Sequence, residues 1–149
     1  MSSFAIRVNA GGPAYTDTQG HAWSADFGFS GTGGVYTAPN AILGTSDAPL
    51  YQSERWTWPG ALQYDFAVPS GAYTVNLKFA ENYATGAGQR IFIILINGQT
   101  VLANFDIFAQ AGGANRAIDK QFSVSSSGAI SIQFTPVVGG PTVGAIEIF

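Results

Sequence analysis

Cysteine is absent from the 149-residue sequence, which excludes a disulfide framework, a thiolate metal site and a cysteine nucleophile. Charge is also scarce, since Asp, Glu, Lys and Arg make up only 10% of the chain and the formal net charge is −3. The six Lys and Arg residues are scattered singly, whereas a nucleic-acid-binding protein needs a basic surface that neutralises phosphates. A nucleic-acid partner is therefore not expected.

Long apolar runs are missing too. The longest run, Ile91–Ile96, has the length of a strand and falls far short of a membrane span, so we expect no membrane insertion. The first three residues show neither the basic region nor the apolar stretch of a signal peptide. We interpret residues 1–3 as an added leader or a linker, and expect any targeting signal to lie outside this fragment.

Alternation of apolar and polar residues with a period of two is the main pattern in the sequence. In the segments 62–66, 73–79, 122–124 and 130–134, large apolar residues occupy every second position, as in half-buried strands. The run 91–96 is apolar on both faces, which predicts a strand in the middle of a sheet that is covered on both sides. Helical periodicity is almost absent. The sequence therefore predicts an all-β fold, an antiparallel β-sandwich of the jelly-roll type.

Turn-forming residues separate these segments. Asn97-Gly98 is the strongest hairpin signal in the chain. Pro69-Ser70-Gly71, Ser125–Gly128 and Gly139-Gly140-Pro141 are predicted to be turns between strands. Paired glycines in the segment 108–117 favour a loop there over a short helical turn. Because glycine and proline are spread evenly, we predict a single domain over residues 1–149.

Patterns for catalysis and metal binding are weak. The single histidine, His21, has no Gly-x-Ser-x-Gly motif with which to form a nucleophilic triad. The segment 17–20 resembles an Asx turn and lacks the further acidic ligands of a calcium-binding loop. We therefore expect no catalytic residue, no metal site and no cofactor. A structural Ca²⁺ held by backbone carbonyls would leave no sequence signature, and this alternative stays open.

Two glutamates offer an enzymatic alternative. Glu54 and Glu81 lie in aromatic-rich segments, and a glycosidase needs two carboxyl groups about 5 to 9.5 Å apart on either side of a sugar bond. Arg55 directly follows the first acid and Arg90 lies close after the second, so we predict structural ion pairs instead. The glycosidase alternative requires both carboxyl groups to face open solvent, and burial against either arginine would contradict it.

Aromatic residues, 13% of the chain, are its most informative feature. Several of them, including Tyr36, Trp56, Trp58 and Tyr83, occupy predicted loops or strand ends. The C–H face of a pyranose ring stacks on an aromatic ring, and polar groups beside the ring then contact the sugar hydroxyls. Aromatic side chains that face solvent therefore suggest a carbohydrate-binding site. The alternative is that the same rings only complete the core.

A series of short motifs runs in order along almost the whole chain: Val8–Gly12, Trp23–Asp26, Leu50–Trp56, Leu77–Tyr83, Gly88–Phe92, Ile96–Gly98, Asn104–Phe108 and Pro141–Glu147. In their number and order these motifs resemble the malectin domain, also classed as carbohydrate-binding module family 57. The resemblance implies a malectin-like, galactose-binding-like sandwich. It also implies a non-catalytic module that binds glucose-containing or related oligo- or polysaccharides in a cleft at one end of the sandwich.

Site residues are implied by the same resemblance. The aromatic residues that hold the sugar fall on Tyr36, Trp56 and Tyr83, where position 56 carries tryptophan in place of the tyrosine of the animal protein. A further aromatic residue and an aspartate fall on Ala84 and Gly139, so these two positions have lost their functional group. A carboxylate that bridges two sugar hydroxyls makes strong charge-assisted bonds, and its loss implies a changed specificity.

Three polar residues, Asn82, Gln52 and Asp47, are predicted to supply replacement hydrogen bonds to sugar hydroxyls. The lost aspartate also favours a second function, because malectin-like domains of plant receptors are associated with peptide and protein partners. This alternative is a protein-interaction module that uses the same aromatic face. For either function we expect an extracellular or cell-surface location and fusion to other domains of a larger secreted protein.

Overall fold

Twelve strands and two short helices make up the regular structure of residues 4–149, the part of the chain that the computed structural model describes. The interpretation of residues 1–3 as a leader lies outside these residues. The strands are β1 Ile6–Asn9, β2 Tyr15–Thr16, β3 Ala22–Ala25, β4 Phe29–Ser30, β5 Gly33–Thr37, β6 Ser53–Thr57, β7 Leu62–Phe79, β8 Ile91–Ile96, β9 Gln99–Phe105, β10 Ile118–Val138, β11 Thr142–Val143 and β12 Ala145–Ile148. The helices are α1 Pro49–Gln52 and α2 Ile107–Ala111. Over residues 4–149, neither helix has the length or the apolar character of a membrane span.

The strands form one large sheet and one small sheet. The large sheet has the order β2-β3-β1-β12-β7-β10-β8-β9, with β4 also paired to β7, and the small sheet has the order β11-β6-β5. Most pairs are antiparallel, as predicted, but β1 and β3 run parallel, so the large sheet is mixed. The predicted all-β sandwich is confirmed.

The two longest strands, β7 and β10, pair with each other along most of their lengths. The turns predicted at Pro69-Ser70-Gly71 and Ser125–Gly128 are therefore wrong, because both segments lie inside continuous strands. The register shifts where the two segments meet, and Gly71 and Gly128 have φ of +153° and +133°, which favour glycine. The turn-forming residues thus produce a bulged bend in a continuous pair of strands.

The bend folds the large sheet over one core. In the first half of β7 the even-numbered apolar residues are buried, and in the second half the odd-numbered ones are buried. This change of parity accompanies the bend, and both halves contribute to the same cluster. Its largest members from these two strands are Leu62, Tyr64, Phe66, Leu77, Phe79, Ile130, Ile132 and Phe134.

The segments around β8 and α2 show where local signals succeeded and failed. Asn97 and Gly98 form the predicted hairpin between β8 and β9, with φ of 49° and 78° as in a type I′ turn. In β8, even-numbered residues are buried but odd-numbered ones are only half-buried, so its two faces are not equally covered. The loop predicted over 108–117 is partly wrong, because α2 extends into it as far as Ala111. Asp106 caps α2 by accepting a hydrogen bond from Ala109 N at 3.0 Å.

Replacing Gly98 by alanine is expected to lower the free energy of unfolding by about 1–2 kcal/mol, because its left-handed backbone strains a residue that has a Cβ. Gly60→Ala is the matched control, since open space surrounds its missing Cβ and its φ is not left-handed. The control should change the free energy by less than about 0.5 kcal/mol. Urea denaturation measures both variants, and equal effects would contradict the assigned turn.

Candidate functional site

The small sheet builds one wall of a cleft. Tyr36 of β5 pairs with Glu54 of β6, and Trp56 of β6 pairs with Gly34 on one side and Thr142 on the other. Residues that pair across antiparallel strands, or lie two apart along one strand, share a face of the sheet. The side chains of Tyr36, Glu54 and Trp56 therefore project from the same face.

Two glycines allow the close approach of Trp56 to β5. A Cβ on Gly34 would lie 3.2 Å from Trp56 Cζ2, so the ring lies against β5 where that strand has no side chain. A Cβ on Gly33 would lie 2.1 Å from the Trp56 carbonyl oxygen, which is closer than packed atoms can approach. Gly34 therefore leaves space for the indole ring, and Gly33 allows the close approach of the backbone of Trp56.

The cleft has a volume of about 730 Å³, which is within the range of small-molecule sites. Four aromatic side chains line it: Tyr36, Trp56, Trp58 and Tyr83. Their exposed fractions are 39%, 36%, 55% and 79%, so none of these rings is part of the buried core. The cleft thus presents an aromatic surface to solvent.

A buried ion pair organises the loops that complete the cleft. Arg90 Nε lies 2.9 Å from Glu81 Oε1, and the two residues are 9% and 0% exposed. Glu81 Oε2 also accepts hydrogen bonds from the backbone N–H groups of Tyr83 and Ala84, at 3.2 and 3.0 Å. Arg90 in turn donates to the carbonyl of Gly140. The pair therefore ties the loop that carries Tyr83 to the loop between β10 and β11.

The predicted ion pair of Glu81 with Arg90 is confirmed, but the pairing of Glu54 with Arg55 is wrong. Neighbours along a strand point to opposite faces, so these two side chains diverge. Arg55 Nε instead lies 2.6 Å from Asp26 Oδ2.

Neither glutamate of the glycosidase alternative faces open solvent. Glu54 is only 3% exposed and lies against the hydroxyl of Thr142. Glu81 is fully buried against Arg90. The geometry therefore contradicts a glycosidase built on these two acids.

Three of the six predicted ligand-binding residues, Tyr36, Trp56 and Tyr83, come together at the cleft from separate segments of the chain. Ala84 and Gly139, where the resemblance implies a lost aromatic residue and a lost aspartate, also line it. Gly139 has φ of +68°, and a Cβ there would lie 2.8 Å from the carbonyl oxygen of Gln89. A side chain at position 139 would therefore need local rearrangement.

The other three predicted ligand groups do not line the cleft, because the scaffold uses their side chains. Asn82 donates to a backbone carbonyl of α1 at 2.7 Å, and Gln52 donates to the carbonyl of Asn40 at 2.8 Å. Asp47 accepts a hydrogen bond from the hydroxyl of Tyr15 at 2.9 Å. We therefore do not retain Asn82, Gln52 or Asp47 as direct ligand groups.

The cleft also contains side chains that were not predicted as ligand groups: Trp58, Glu54, Gln89 and Arg90. Trp58 carried a sequence signal, since it follows Trp56 by two residues among the exposed aromatic residues. Glu54 also carried one, because it lies two positions before Trp56 and the period of a strand places both side chains on one face. Gln89 and Arg90 carried none, because only the fold brings their segment to the cleft. Within residues 4–149, no group of three or more His, Asp or Glu side chains is placed to hold a metal ion.

Comparison with known proteins identifies the family. The model of the malectin domain matches residues 4–146. The chain belongs to the malectin family. Malectin-B of Xenopus laevis is 35% identical over 132 residues, which cover 85% of this malectin domain and 47% of that protein. The domain thus spans about half the length of this curated relative.

Solved structures share the fold over nearly the whole malectin domain. A chain in the crystal structure of the plant peptide RALF23 in complex with FER and LLG2 is 26% identical, with a TM-score of 0.86. That match covers 97% of this domain and 48% of the other chain. A calcium-binding mutant of β-glucuronidase 2 from Bacteroides uniformis is 25% identical with a TM-score of 0.85, over 97% of this domain and 18% of the enzyme chain.

Proposed function

We propose that this malectin domain is a non-catalytic carbohydrate-binding module that recognises glucose-containing or related oligo- or polysaccharides in its aromatic cleft, without a cofactor. The observation that carries the proposal is the convergence of Tyr36, Trp56 and Tyr83 on one cleft. Sugar rings stack their C–H faces on such aromatic rings. Membership of the malectin family supports a binding role of this kind.

The electrostatics of the cleft favour an uncharged ligand. Glu54 and Arg90 are its charge-bearing side chains. The guanidinium of Arg90 is already paired with Glu81. Burial raises the pKa of the Glu54 carboxyl, which favours its neutral form. A neutral glycan loses little solvation in such a cleft, whereas a charged ligand would find no unpaired opposite charge among the lining residues.

Binding should be of modest affinity. The cleft is open, and its aromatic rings are accompanied by few polar groups. Such sites offer stacking but fix few hydroxyl groups, so we expect dissociation constants of about 1 µM to 1 mM, or about −8 to −4 kcal/mol.

Replacing Trp56 by alanine is expected to abolish glycan binding, because the variant loses one of the aromatic rings that line the cleft. A glycan array of α- and β-glucans, galactans and plant polysaccharides, followed by calorimetry on the bound sugars, measures the effect. Phe149→Ala is the matched control, since this aromatic residue is 47% exposed and lies outside the cleft lining. The control should bind like the parent.

Thermal melting of both variants separates loss of binding from loss of folding. A folded Trp56→Ala variant that binds a glycan as tightly as the parent would contradict the proposed site. If the parent binds none of these glycans, carbohydrate recognition by this cleft is contradicted.

A protein partner is the second candidate, favoured by exposed apolar side chains in the cleft and in the segment that leads into its glycine loop. Val35, Val137 and Val138 are 52%, 49% and 41% exposed, Val35 lines the cleft, and the other two precede its glycine loop. A chain of the same fold occurs in a complex with the peptide RALF23 and LLG2. Absence of glycan binding would make a protein partner at this face the better proposal.

The setting we propose is a larger secreted or cell-surface protein to which this domain is fused. The support is that the matching region forms only part of the relatives, such as 18% of the β-glucuronidase chain and about half of Malectin-B. Binding modules attached in this way raise the local concentration of their partner domains on a target.

A further inference from the structure

Trp58 lines the cleft beside the three aromatic residues that carry the proposed function. It is 55% exposed, whereas Trp56 is 36% exposed. An indole ring stabilises a fold through the apolar area that it removes from water. The fold therefore draws little stability from the ring of Trp58, and much of its surface is open to a ligand.

The backbone of Trp58 continues the strand that carries Trp56. Its N–H donates to the carbonyl of Thr32 at 2.9 Å, one step beyond the pairing of Gly33 with Thr57 in β5 and β6. Residues two apart along an extended strand share a face and lie about 6–7 Å apart. Both indole rings therefore project from the cleft face of the small sheet, one after the other in the direction of β6.

The backbone beside Trp58 is held on both sides. Thr57 is 1% exposed, its N–H donates to the carbonyl of Pro141 at 3.3 Å, and its hydroxyl donates to the carbonyl of Gly60 at 2.8 Å. A Cβ on Gly140 would lie 3.6 Å from Trp58 Cβ, so the residue beside Trp58 at that edge has no side chain. An exposed ring on a fixed backbone loses little freedom when it binds, which favours a stacking platform.

The cleft opens in the same direction. Exposure rises along the strand from 3% at Glu54 to 36% at Trp56 and 55% at Trp58. The Glu54 end is therefore closed by the fold, and the Trp58 end is open to solvent. The volume of about 730 Å³ lies in the upper part of the range of roughly 300–1,000 Å³ for small-molecule sites, which leaves room for more than one sugar ring.

We propose that Trp58 provides a second stacking subsite, so that the cleft binds a glycan chain of at least two sugar residues, one on Trp56 and the next on Trp58. This subsite rests on the proposed function and deepens it. The spacing of the two tryptophans along the strand is comparable with that of successive residues in a glycan chain, and each indole offers a face to one pyranose ring. Trp58 thus selects for chain length, and the chain leaves the cleft past Trp58 into solvent.

Chain length is the ligand property that isolates this subsite. NMR titration with the methyl glucosides and with maltotriose, laminaritriose and cellotriose gives the ratio of trisaccharide to monosaccharide affinity. In the parent, the trisaccharide of the preferred linkage should bind roughly 3- to 10-fold more tightly than the monosaccharide. The Trp58→Ala variant should lose most of this ratio, because the second sugar residue no longer meets an aromatic ring.

Three further variants identify the cause of the loss. Trp58→Leu keeps an apolar side chain without an aromatic face, so its ratio should fall as in Trp58→Ala. Trp58→Phe keeps a ring and should retain part of the ratio. Phe149→Ala is the matched control and should keep the full ratio, since this aromatic residue is 47% exposed and lies outside the cleft lining.

Loss of the ratio in Trp58→Ala and Trp58→Leu, but not in Phe149→Ala, supports the subsite. A parent that binds both sugars equally well, or a Trp58→Ala variant that keeps the ratio of the parent, would overturn the subsite alone. Equal losses of mono- and trisaccharide affinity in Trp58→Ala would also overturn it, since they place Trp58 at the first sugar or in folding. A ratio that Trp58→Leu retains would exclude aromatic stacking and overturn it as well. A parent that binds neither sugar would contradict the proposed function and the subsite together.

Discussion

Replacing Arg90 by methionine is expected to lower the free energy of unfolding by about 3–5 kcal/mol, because it leaves the buried Glu81 carboxylate without its counter-charge. Glu81 is fully buried, and its Oε1 receives the Arg90 Nε at 2.9 Å. Taking a charge out of water is expensive, and the guanidinium provides most of the compensation. Chemical denaturation measures the effect. A loss below about 1 kcal/mol would contradict the assigned role of the pair.

A double variant distinguishes this cause from a general loss of packing. Glu81→Gln removes the buried charge but keeps an oxygen that accepts from the backbone of Tyr83 and Ala84. In the Arg90→Met background it should therefore restore much of the lost stability. Lys78→Met is the control for a less buried ion pair, since the side chains of Lys78 and Asp119 are 15% and 36% exposed. That variant should lose clearly less stability than Arg90→Met, because the Asp119 carboxylate that it leaves unpaired stays in contact with solvent.

The same ion pair explains why the cleft has a defined shape although loops form much of it. Glu81 fixes the backbone on which Tyr83 and Ala84 are carried, and Arg90 holds the carbonyl of Gly140. Loops that carry binding residues need such support, because flexible side chains lose entropy when they bind. The Arg90→Met variant should therefore also weaken any binding that depends on Tyr83.

Local patterns predicted those parts of the fold that depend on neighbouring residues. The strand alternation and the Asn97-Gly98 hairpin follow from side-chain direction and backbone conformation over a few residues. Proline and glycine favour tight turns between strands as well as bends within a strand. The segment Pro69-Ser70-Gly71 was therefore predicted as a turn, although it forms a bend. The buried apolar residues have even numbers up to Val68 and odd numbers from Val75 onwards. This shift in the alternation distinguishes a bulged bend from a turn, and it can be seen in the sequence.

The site was predictable to the extent that its residues are aromatic. Tyr36, Trp56 and Tyr83 were predicted from the resemblance and do meet at the cleft. Asn82, Gln52 and Asp47 also lie near aromatic residues in the sequence, but their partners come from distant segments that only the fold reveals.

Adjacent residues of opposite charge misled the prediction for Glu54. Proximity in sequence suggested a pair with Arg55, yet the period of a strand places adjacent side chains on opposite faces. The alternation rule that predicted the strands would have excluded this pair. The same rule places Glu54 with Trp56, and so at the cleft.

Replacing Phe79 by alanine is expected to lower the free energy of unfolding by about 3–5 kcal/mol, through lost transfer energy and the cavity that remains. Phe79 is 1% exposed, and its ring centroid lies 4.9 Å from that of Phe105, 6.0 Å from that of Phe92 and 6.4 Å from that of Phe134. These edge-to-face and tilted contacts join four strands of the large sheet. Phe79→Leu retains most of the volume and should lose clearly less, about 1–2 kcal/mol.

A variant in the core and a variant in the cleft should separate effects on stability from effects on ligand binding. Phe79 does not line the cleft, so below its melting temperature the Phe79→Ala variant should bind a glycan like the parent. Trp56→Ala should show the reverse, with folding retained and binding lost. For a domain of this size the loss in Phe79→Ala corresponds to a fall in melting temperature of roughly 6–20 °C, which calorimetric melting resolves easily.

If Phe79→Ala melts within roughly 2 °C of the parent, these rings do not form the centre of the core. If instead it stays folded and loses binding, the cleft depends on the core through the adjoining segment of Ala80 and Glu81, and recognition cannot be assigned to the small sheet and its loops alone.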